Sequence, residues 1–223
     1  MSSPDTADAR VDAGMRTQLA LREAMLAAGR RHLGWKLGFG SPAALQRLRT
    51  KAPLVGFLTD GSVLRSGASC SIAGWKRAML EPEIAAHIGA GGAIQALGAA
   101  VEIADLDPDV HDVEAILAGD IFHRHVLLGP PDASRAGGSA AGISARVTRD
   151  GQEIAATSEP EALTGSVAEN VRSAAATLKR HGLSLSEGDA VILGSLVPPI
   201  QVAPGETIRV EIAPLGELEV TFV

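Results

Sequence analysis

Residues 80–85 read Leu-Glu-Pro-Glu-Ile-Ala, and this short run carries the most information about the fold and its chemistry. On a β-strand, residues two apart point to the same side, so Glu81 and Glu83 would place two carboxylates on one face. Pro82 is compatible with a strand at a sheet edge or at a bulge. Two like charges are unfavourable unless a cation lies between them, and Mg²⁺ or Mn²⁺ prefers oxygen ligands. The alternative is a solvated strand end.

A third carboxylate and one lysine occupy similar apolar runs. Glu102 stands inside residues 100–104, where an acid is either exposed or held by a cation. Lys36 stands in the run Gly-Trp-Lys-Leu-Gly at residues 34–38. A lysine in such a run usually extends its amine to water. Alternatively it faces the metal cavity, where it pairs with an anionic substrate or, with a lowered pKa, moves protons.

Three further residues are candidates for the same site. Asp60 precedes a glycine, which is typical of a turn, but it could also be the acid/base partner of Lys36. Gly194 and Ser195 follow an apolar run. Backbone amides and a hydroxyl at a strand end can bind a carboxylate or an enolate oxygen. The alternative for this pair is a plain tight turn.

The histidines and the cysteine give weaker evidence for a functional site. His123 and His125 would share one face of a strand predicted over residues 121–128, but no third zinc-type ligand is evident. Cys70 is the single cysteine, so an intramolecular disulfide and a Cys-rich zinc site are excluded.

The chain-wide pattern favours a β-rich mixed α+β fold with a few helices. Helices are predicted over residues 15–29, from a Ser41 cap to Leu48, over 109–117, and from the Ser166/Glu169 capping box to about 182. Alternating polarity predicts two paired strands near 208–212 and 218–222, and Asp150 before a glycine predicts a hairpin. The regular strand–helix alternation of a doubly wound sheet is missing.

Composition narrows the class of protein. The chain has 223 residues, is 46% hydrophobic and carries a net charge of −6, so the basic surface of a nucleic-acid-binding protein is absent. No apolar run approaches the roughly 18 residues that span a bilayer, and the polar start lacks the pattern of a signal peptide. We therefore expect a cytoplasmic protein with no membrane partner. Residues 1–12 are predicted to be a disordered lead-in, and residues 13–223 a single catalytic domain with a short N-terminal helical region.

Taken together, these motifs resemble the 2-hydroxypentadienoate (2-oxopent-4-enoate) hydratase branch of the fumarylacetoacetate hydrolase superfamily. The resemblance covers about residues 30 to 223, and the order of the motifs is more specific than any one of them. The matching segments are residues 34–41, 81–85, 101–105, 193–196 and 214–218.

This resemblance implies a β roll or sandwich and a bound Mg²⁺ or Mn²⁺. The implied metal ligands are Glu81, Glu83 and Glu102. Lys36 and Asp60 would handle protons, and Gly194 with Ser195 corresponds to a Gly-Ser turn of the family.

The implied activity is that of a metal-dependent lyase in aromatic-compound catabolism. It would add water to a 2-hydroxy-2,4-dienoate, a small molecule, and give a 4-hydroxy-2-oxo acid. The resemblance also implies a homo-oligomer.

The chain departs from the hydratases at one informative place. Residues 119–124 read Gly-Asp-Ile-Phe-His-Arg, where the hydratases carry an Asp-Asn-Ala-Ser-Ser-like stretch. Three alternatives stay open: a 4-oxalocrotonate-type decarboxylase, an acylpyruvate hydrolase, and a non-catalytic homologue that partners an active subunit. The hydrolytic branch needs a water-activating His–Glu pair near its N-terminus, and no clear candidate is present.

Overall fold

The computed structural model describes residues 8–223. Its helices are α1 (Ala9–Ala27), α2 (Pro42–Leu48), α3 (Val113–Ala118) and α4 (Val167–Arg180). Its strands are β1 (His32–Gly38), β2 (Leu54–Thr59), β3 (Ala68–Cys70), β4 (Ala78–Ile88), β5 (Ile94–Asp105), β6 (His123–Leu128), β7 (Ser144–Arg149), β8 (Gln152–Thr157), β9 (Ala190–Ser195), β10 (Ile200–Gln201), β11 (Thr207–Ala213) and β12 (Gly216–Phe222). This confirms the expected β-rich mixed α+β fold.

Two sheets form the frame of the molecule. The larger has the order β2-β1-β9-β4-β5-β6, with β10 paired to β4, and the smaller has the order β3-β12-β11-β7-β8. Every residue of β9 is buried, whereas β11 alternates between buried and more exposed positions. The larger sheet is therefore covered on both faces near its centre, and the smaller sheet meets water on one face.

One apolar core joins the two sheets. Ile103 on β5, Val210 on β11 and Phe222 on β12 are almost completely buried in the same cluster, together with Val171 and Leu178 of α4. Burying an aliphatic side chain of this size stabilises a fold by roughly 1.5–3 kcal/mol. The close-packed core therefore supports the strands that bear the charged residues of the larger sheet.

The first helix begins earlier than the hydrophobic pattern predicted. The Asp8 side chain caps α1 by accepting a hydrogen bond from the Arg10 amide at 3.1 Å. A capped first turn needs no apolar residue to be helical. The expected disordered lead-in of residues 1–12 is therefore wrong where it overlaps this helix, and residues 1–7 lie outside the described part of the chain.

The helix starts predicted at Ser41 and Ser166 are confirmed, whereas α3 begins at Val113 and not at residue 109 because the Asp112 side chain caps it. Ser41 Oγ accepts a hydrogen bond from the Ala44 amide at 3.3 Å at the start of α2. At the start of α4, Ser166 Oγ accepts from the Glu169 amide at 3.3 Å and donates to Glu169 Oε2 at 3.1 Å. Helix α4 packs against β1, β2 and β9 of the larger sheet, and residues of α2 line the cavity beside its charged residues.

A left-handed turn precedes β6. Asp120, Ile121 and Phe122 have φ angles of 52°, 53° and 63°. Left-handed backbone at a non-glycine residue is unfavourable by about 1–3 kcal/mol, and such residues cluster at functional sites. The strand predicted over residues 121–128 therefore begins only at His123.

A β-bulge separates the two histidines of β6. His123 pairs with Ala104, whereas His125 pairs with Ile103, so Arg124 is the extra residue of the bulge. The His125 ring stacks on Trp75, with ring centroids 6.1 Å apart. The two histidines thus have different neighbours, which corrects the expectation that they act as a pair on one face.

A search of residues 8–223 finds no helix that combines the length and apolar character needed to cross a membrane.

Candidate functional site

Four neighbouring strands bring the predicted residues together. In the β4–β5 ladder Glu81 lies directly opposite Glu102, and in the β4–β9 ladder Glu83 lies opposite Ser195. Lys36, on β1, forms an ion pair with Glu102 across the face of the sheet. Segments far apart in sequence therefore meet in one charged cluster.

Each of the three glutamates keeps at least one carboxylate oxygen without a partner. The Gly194 amide donates to Glu83 Oε2 at 2.7 Å, whereas Glu83 Oε1 is buried and has no partner. Glu102 Oε1 accepts from Lys36 and His123, and no hydrogen bond within residues 8–223 involves Oε2. Over the same residues, the Glu81 side chain makes no hydrogen bond.

Burial and mutual repulsion shift the pKa values of these carboxyl groups. Burial, reinforced by the charge of Glu102, raises the pKa of Glu81 to about 7. The same causes raise the pKa of Glu83 well above its ordinary value. Burial also raises the pKa of Glu102, but Lys36 and His123 outweigh this and hold it below its ordinary value. The positive charge of one lysine therefore balances only part of the negative charge that these three buried glutamates can carry.

The cluster fits a hard divalent cation by its chemistry. Its free donors are carboxylate oxygens, which Mg²⁺ and Mn²⁺ prefer, and a buried oxygen without a partner is unfavourable until something binds it. Among the described residues, no set of three His, Cys, Asp or Glu side chains already has the spacing of an assembled metal site. Cation binding would therefore accompany a rotation of the glutamate side chains.

Lys36 is a cation in this structure. It is about 1% exposed, and its Nζ also donates to the Ile121 carbonyl at 3.1 Å. Burial lowers the pKa of Lys36, but the charges of Glu102, Asp120 and Glu81 outweigh this and hold it above its ordinary value. The alternative of a lowered pKa for Lys36 is therefore not supported, and the protonated amine is a proton donor.

Asp60 does not reach the cluster. Its carboxylate accepts hydrogen bonds at 3.0 Å from the amide and from Nε of Arg31. Lys36 pairs with Gly56 in the β1–β2 ladder, and Asp60 follows four residues later, which corresponds to roughly 13 Å along the strand. The structure therefore does not support Asp60 as the acid/base partner of Lys36.

Asp120 takes the position that was expected of Asp60. It is buried, and its Oδ1 accepts from the Phe57 amide at 2.9 Å. A Cβ at Gly56 would lie 2.7 Å from both Asp120 Oδ1 and Lys36 Cγ, so the two side chains are close neighbours. Burial, opposed by Lys36, raises the pKa of Asp120 to about 8. At neutral pH this carboxyl group is mostly protonated.

Gly194 and Ser195 lie in the cavity wall in different roles. The Gly194 amide is occupied by Glu83, so it is not free to bind a substrate oxygen. Ser195 Oγ is buried and has no hydrogen-bond partner. The hydroxyl is therefore the group of this pair that can bind a ligand.

These residues form one end of a cavity of about 480 Å³. Lys36, Glu81, Glu102 and Ser195 form its charged and polar end. The rest of the wall is largely apolar and includes Leu37, Phe39, Met79, Leu106, Ile121, Phe122, Leu163 and Pro199. A deep apolar cavity with a few convergent polar groups is typical of a site for a small molecule.

Two residues of this site were not among the predicted site residues. Asp120 and His123 both lie in the segment 119–124, whose departure from the hydratase pattern was the signal available. Both are buried polar side chains in contact with charged neighbours.

Comparison with known proteins places this geometry in context. No family model matches the chain. The chain is 27% identical over 220 residues to a 2-hydroxyhexa-2,4-dienoate hydratase from Comamonas testosteroni, covering 92% of this chain and 82% of that protein.

Two solved structures share the fold. The first is 4-oxalocrotonate decarboxylase from Pseudomonas putida G7 complexed with magnesium and adipate (TM-score 0.84, 20% identity, 97% of this chain and 87% of the other). The second is fumarylpyruvate hydrolase from Pseudomonas aeruginosa in complex with Mn²⁺ and pyruvate (TM-score 0.65, 19% identity, 86% and 89%). The chain therefore has the fold of the fumarylacetoacetate hydrolase superfamily, and its similarity to the hydratase confirms the resemblance that its motifs indicated.

Proposed function

We propose that this protein is a divalent-metal-dependent hydratase that adds water to a 2-hydroxy-2,4-dienoate and forms a 4-hydroxy-2-oxo acid. The observation that carries the proposal is the convergence of three carboxylates on adjacent strands, each with a free oxygen, beside a charged lysine at the end of a cavity that Lys36, Glu81 and Glu102 line. The named relative, a hydratase of a 2-hydroxydienoate, supports this choice of reaction.

Glu81, Glu83 and Glu102 would hold the cation, Mg²⁺ or Mn²⁺. When bound, it would supply Lewis-acid polarisation of the substrate carboxylate and 2-oxygen. The free oxygens of the three glutamates are the donors available for it.

Lys36 is the proton donor of the proposed reaction. It gives its proton to the terminal alkene carbon of the dienoate while the 2-hydroxyl loses its own proton to solvent water, which leaves a 2-oxo-3-enoate. Water then adds at carbon 4, and carbon 3 takes up a proton. Because its pKa is raised, Lys36 carries at neutral pH the proton that it would transfer.

Asp120 and Ser195 complete the set of protein groups. Asp120 is a neutral carboxyl group close to Lys36, so it can return a proton to the lysine after transfer. Ser195 Oγ has no partner in the protein, so it can donate to a substrate oxygen. These roles replace that expected of Asp60.

The direct test is an assay with 2-hydroxypenta-2,4-dienoate and Mg²⁺ or Mn²⁺, which follows loss of the dienoate absorbance and identifies 4-hydroxy-2-oxopentanoate. EDTA should abolish turnover, as should Glu81→Ala, whereas Glu187→Ala, a change at an exposed acid, should leave it intact. Asp120→Asn should reduce kcat, and Asp60→Asn should not. No turnover by metal-loaded protein would reject the hydratase.

A second candidate is favoured by one residue at the cavity wall. Arg47 is exposed, its guanidinium lies 5.6 Å from the Phe39 ring centroid, and no carboxylate within residues 8–223 pairs with it. A free arginine there could bind the second carboxylate of a dicarboxylic substrate, as a 4-oxalocrotonate decarboxylase would need. Release of CO₂ from 4-oxalocrotonate, lost in Arg47→Ala, would establish this alternative.

Two further expectations accompany the proposal. We propose that the protein forms a homo-oligomer, which light scattering of the purified protein would test. Its predicted cytoplasmic location would be tested by cell fractionation.

A further inference from the structure

His123 lies at the first position of β6, and its side chain is only 5% exposed. Its Nδ1 lies 2.7 Å from Glu102 Oε1. We propose that His123 is a positioning residue of the metal site, which fixes the Glu102 carboxylate so that Oε2 is left to bind the cation. The inference rests on the proposed function because Glu102 must be a ligand.

The direction of this hydrogen bond follows from the chemistry of its partners. Glu102 is ionised, so its oxygens only accept hydrogen bonds. Nδ1 therefore carries the proton and donates it to Oε1. A donor held in a buried, planar ring fixes the orientation of the carboxylate.

Lys36 alone would hold Glu102 less well. Both Lys36 Nζ and His123 Nδ1 contact the same oxygen, Oε1. A lysine amine sits on a flexible four-carbon stem, whereas a buried imidazole is planar and fixed by packing. With His123 in place, Lys36 can turn to the substrate while Oε1 remains held.

The backbone selects His123 for this contact. The left-handed residues 120–122 lead into β6, and the bulge at Arg124 gives His123 and His125 different neighbours. His125 stacks on Trp75 and does not contact Glu102. It therefore offers a matched control on the same strand.

The experiment measures Mn²⁺ binding to the substrate-free protein, by electron paramagnetic resonance of free Mn²⁺ at neutral pH, for the wild type and four variants. His123→Leu removes the donor and should raise the Mn²⁺ Kd about 10- to 100-fold, the usual effect of losing a hydrogen bond to a metal ligand. His125→Leu should leave the Kd within about threefold of the wild type, because His125 makes no hydrogen bond to a proposed metal ligand and its loss should not disturb metal binding.

Two conservative variants distinguish positioning from packing and cover the case that His123→Leu fails to fold. The amide nitrogen of Asn occupies the position of Nδ1, and that of Gln occupies the position of Nε2. His123→Asn should therefore keep the Kd within about threefold of the wild type, whereas His123→Gln should weaken binding by about tenfold or more.

The outcomes separate the two proposals. Equal Kd values for His123→Asn and His123→Gln, or a wild-type Kd in folded His123→Leu, would overturn the role of His123 and leave the metal site intact. Absence of Mn²⁺ binding by the wild type would instead overturn the metal site and the proposed function. Metal binding with no turnover of the dienoate would reject only the hydratase reaction.

Discussion

Gly56 lies directly opposite Lys36 in the β1–β2 ladder, and the space above its Cα is filled by that lysine and by Asp120. A Cβ at Gly56 would lie 2.7 Å from Lys36 Cγ and from Asp120 Oδ1. Contacts under 3.0 Å require one of the groups to move. The absence of a side chain at residue 56 is therefore part of what lets the Lys36 amine stem and the Asp120 carboxyl group lie side by side.

Gly56→Ala should lower the stability by about 1–3 kcal/mol, since overpacking forces buried side chains out of their rotamers. It should also reduce kcat because Lys36 shifts. Gly61→Ala is the control: its Cβ would meet Arg30 Nε at 3.0 Å, and that exposed side chain can move away. Equal melting temperatures and equal turnover in the two variants would contradict this account.

Ser195→Ala should weaken substrate binding without weakening the fold. The buried Ser195 hydroxyl has no partner, so its removal takes no hydrogen bond from the protein and relieves an unsatisfied group. We expect KM to rise about tenfold, because the variant loses one hydrogen bond to a charged substrate oxygen. The melting temperature should be unchanged or slightly higher. Ser62→Ala is the control, because Ser62 Oγ donates to the Thr59 carbonyl at 3.0 Å; it should lower stability slightly and leave KM alone. A KM unchanged in Ser195→Ala would remove this residue from the substrate site.

Glu81→Gln should stabilise the metal-free protein and abolish its stabilisation by metal. In the metal-free protein Glu81 faces Glu102, so replacing it with a neutral amide relieves repulsion and should raise the melting temperature above pH 7. Added Mn²⁺ should then stabilise the wild type but not the variant, because a cation that binds only the folded state stabilises it by mass action. Thermal unfolding with Mn²⁺ and with EDTA measures both effects. Equal stabilisation by Mn²⁺ in the two proteins would exclude Glu81 as a ligand.

Asp120→Asn should change how the stability of metal-free protein depends on pH. The folded-state pKa of about 8 lies above the ordinary value of 3.8, so the folded state binds more protons between these values. Asp120 therefore destabilises the wild type progressively as pH rises from about 4 to about 8, and its penalty is absent below that range. Asn keeps the acceptor for the Phe57 amide but does not ionise.

The measurement compares free energies of unfolding at pH 5 and pH 8 in EDTA. The wild type should lose about 1–3 kcal/mol more than Asp120→Asn over this interval. Asp60→Asn serves as control, because hydrogen bonds from Arg31 hold the pKa of Asp60 below its ordinary value and it is ionised throughout this range. The same pH dependence in wild type and Asp120→Asn would show that Asp120 does not carry the effect.

The local sequence predicted those parts of the site that lie within one strand. The spacing of Glu81 and Glu83, two residues apart, was enough to predict two carboxylates on one face, because that rule depends only on strand geometry. The cap at Ser41 likewise needs only a few neighbouring residues. Such features follow from short-range backbone chemistry.

The missed residues depend on long-range contacts. Asp60 and Asp120 are equally ordinary in sequence, each beside a glycine, and only the packing of β2 against residues 119–122 decides which one meets Lys36. A left-handed turn of three non-glycine residues is also opposed by local preference, so sequence patterns favour a strand there. The surrounding structure stabilises what the local chain disfavours.

The bulge at Arg124 makes the chemistry of the site depend on chain length as well as on residue type. Side chains alternate along a strand, so the loss or gain of one residue turns every following side chain to the opposite face. Deleting Arg124, the extra residue, would leave both existing histidine pairs in place, whereas one residue inserted into β5 between Ile103 and Ala104 would give Arg124 a partner and turn His123 away from the face of Glu102. A relative with the same residues but a one-residue gap at this place would therefore have a different metal environment, which an alignment scored by identity alone would overlook.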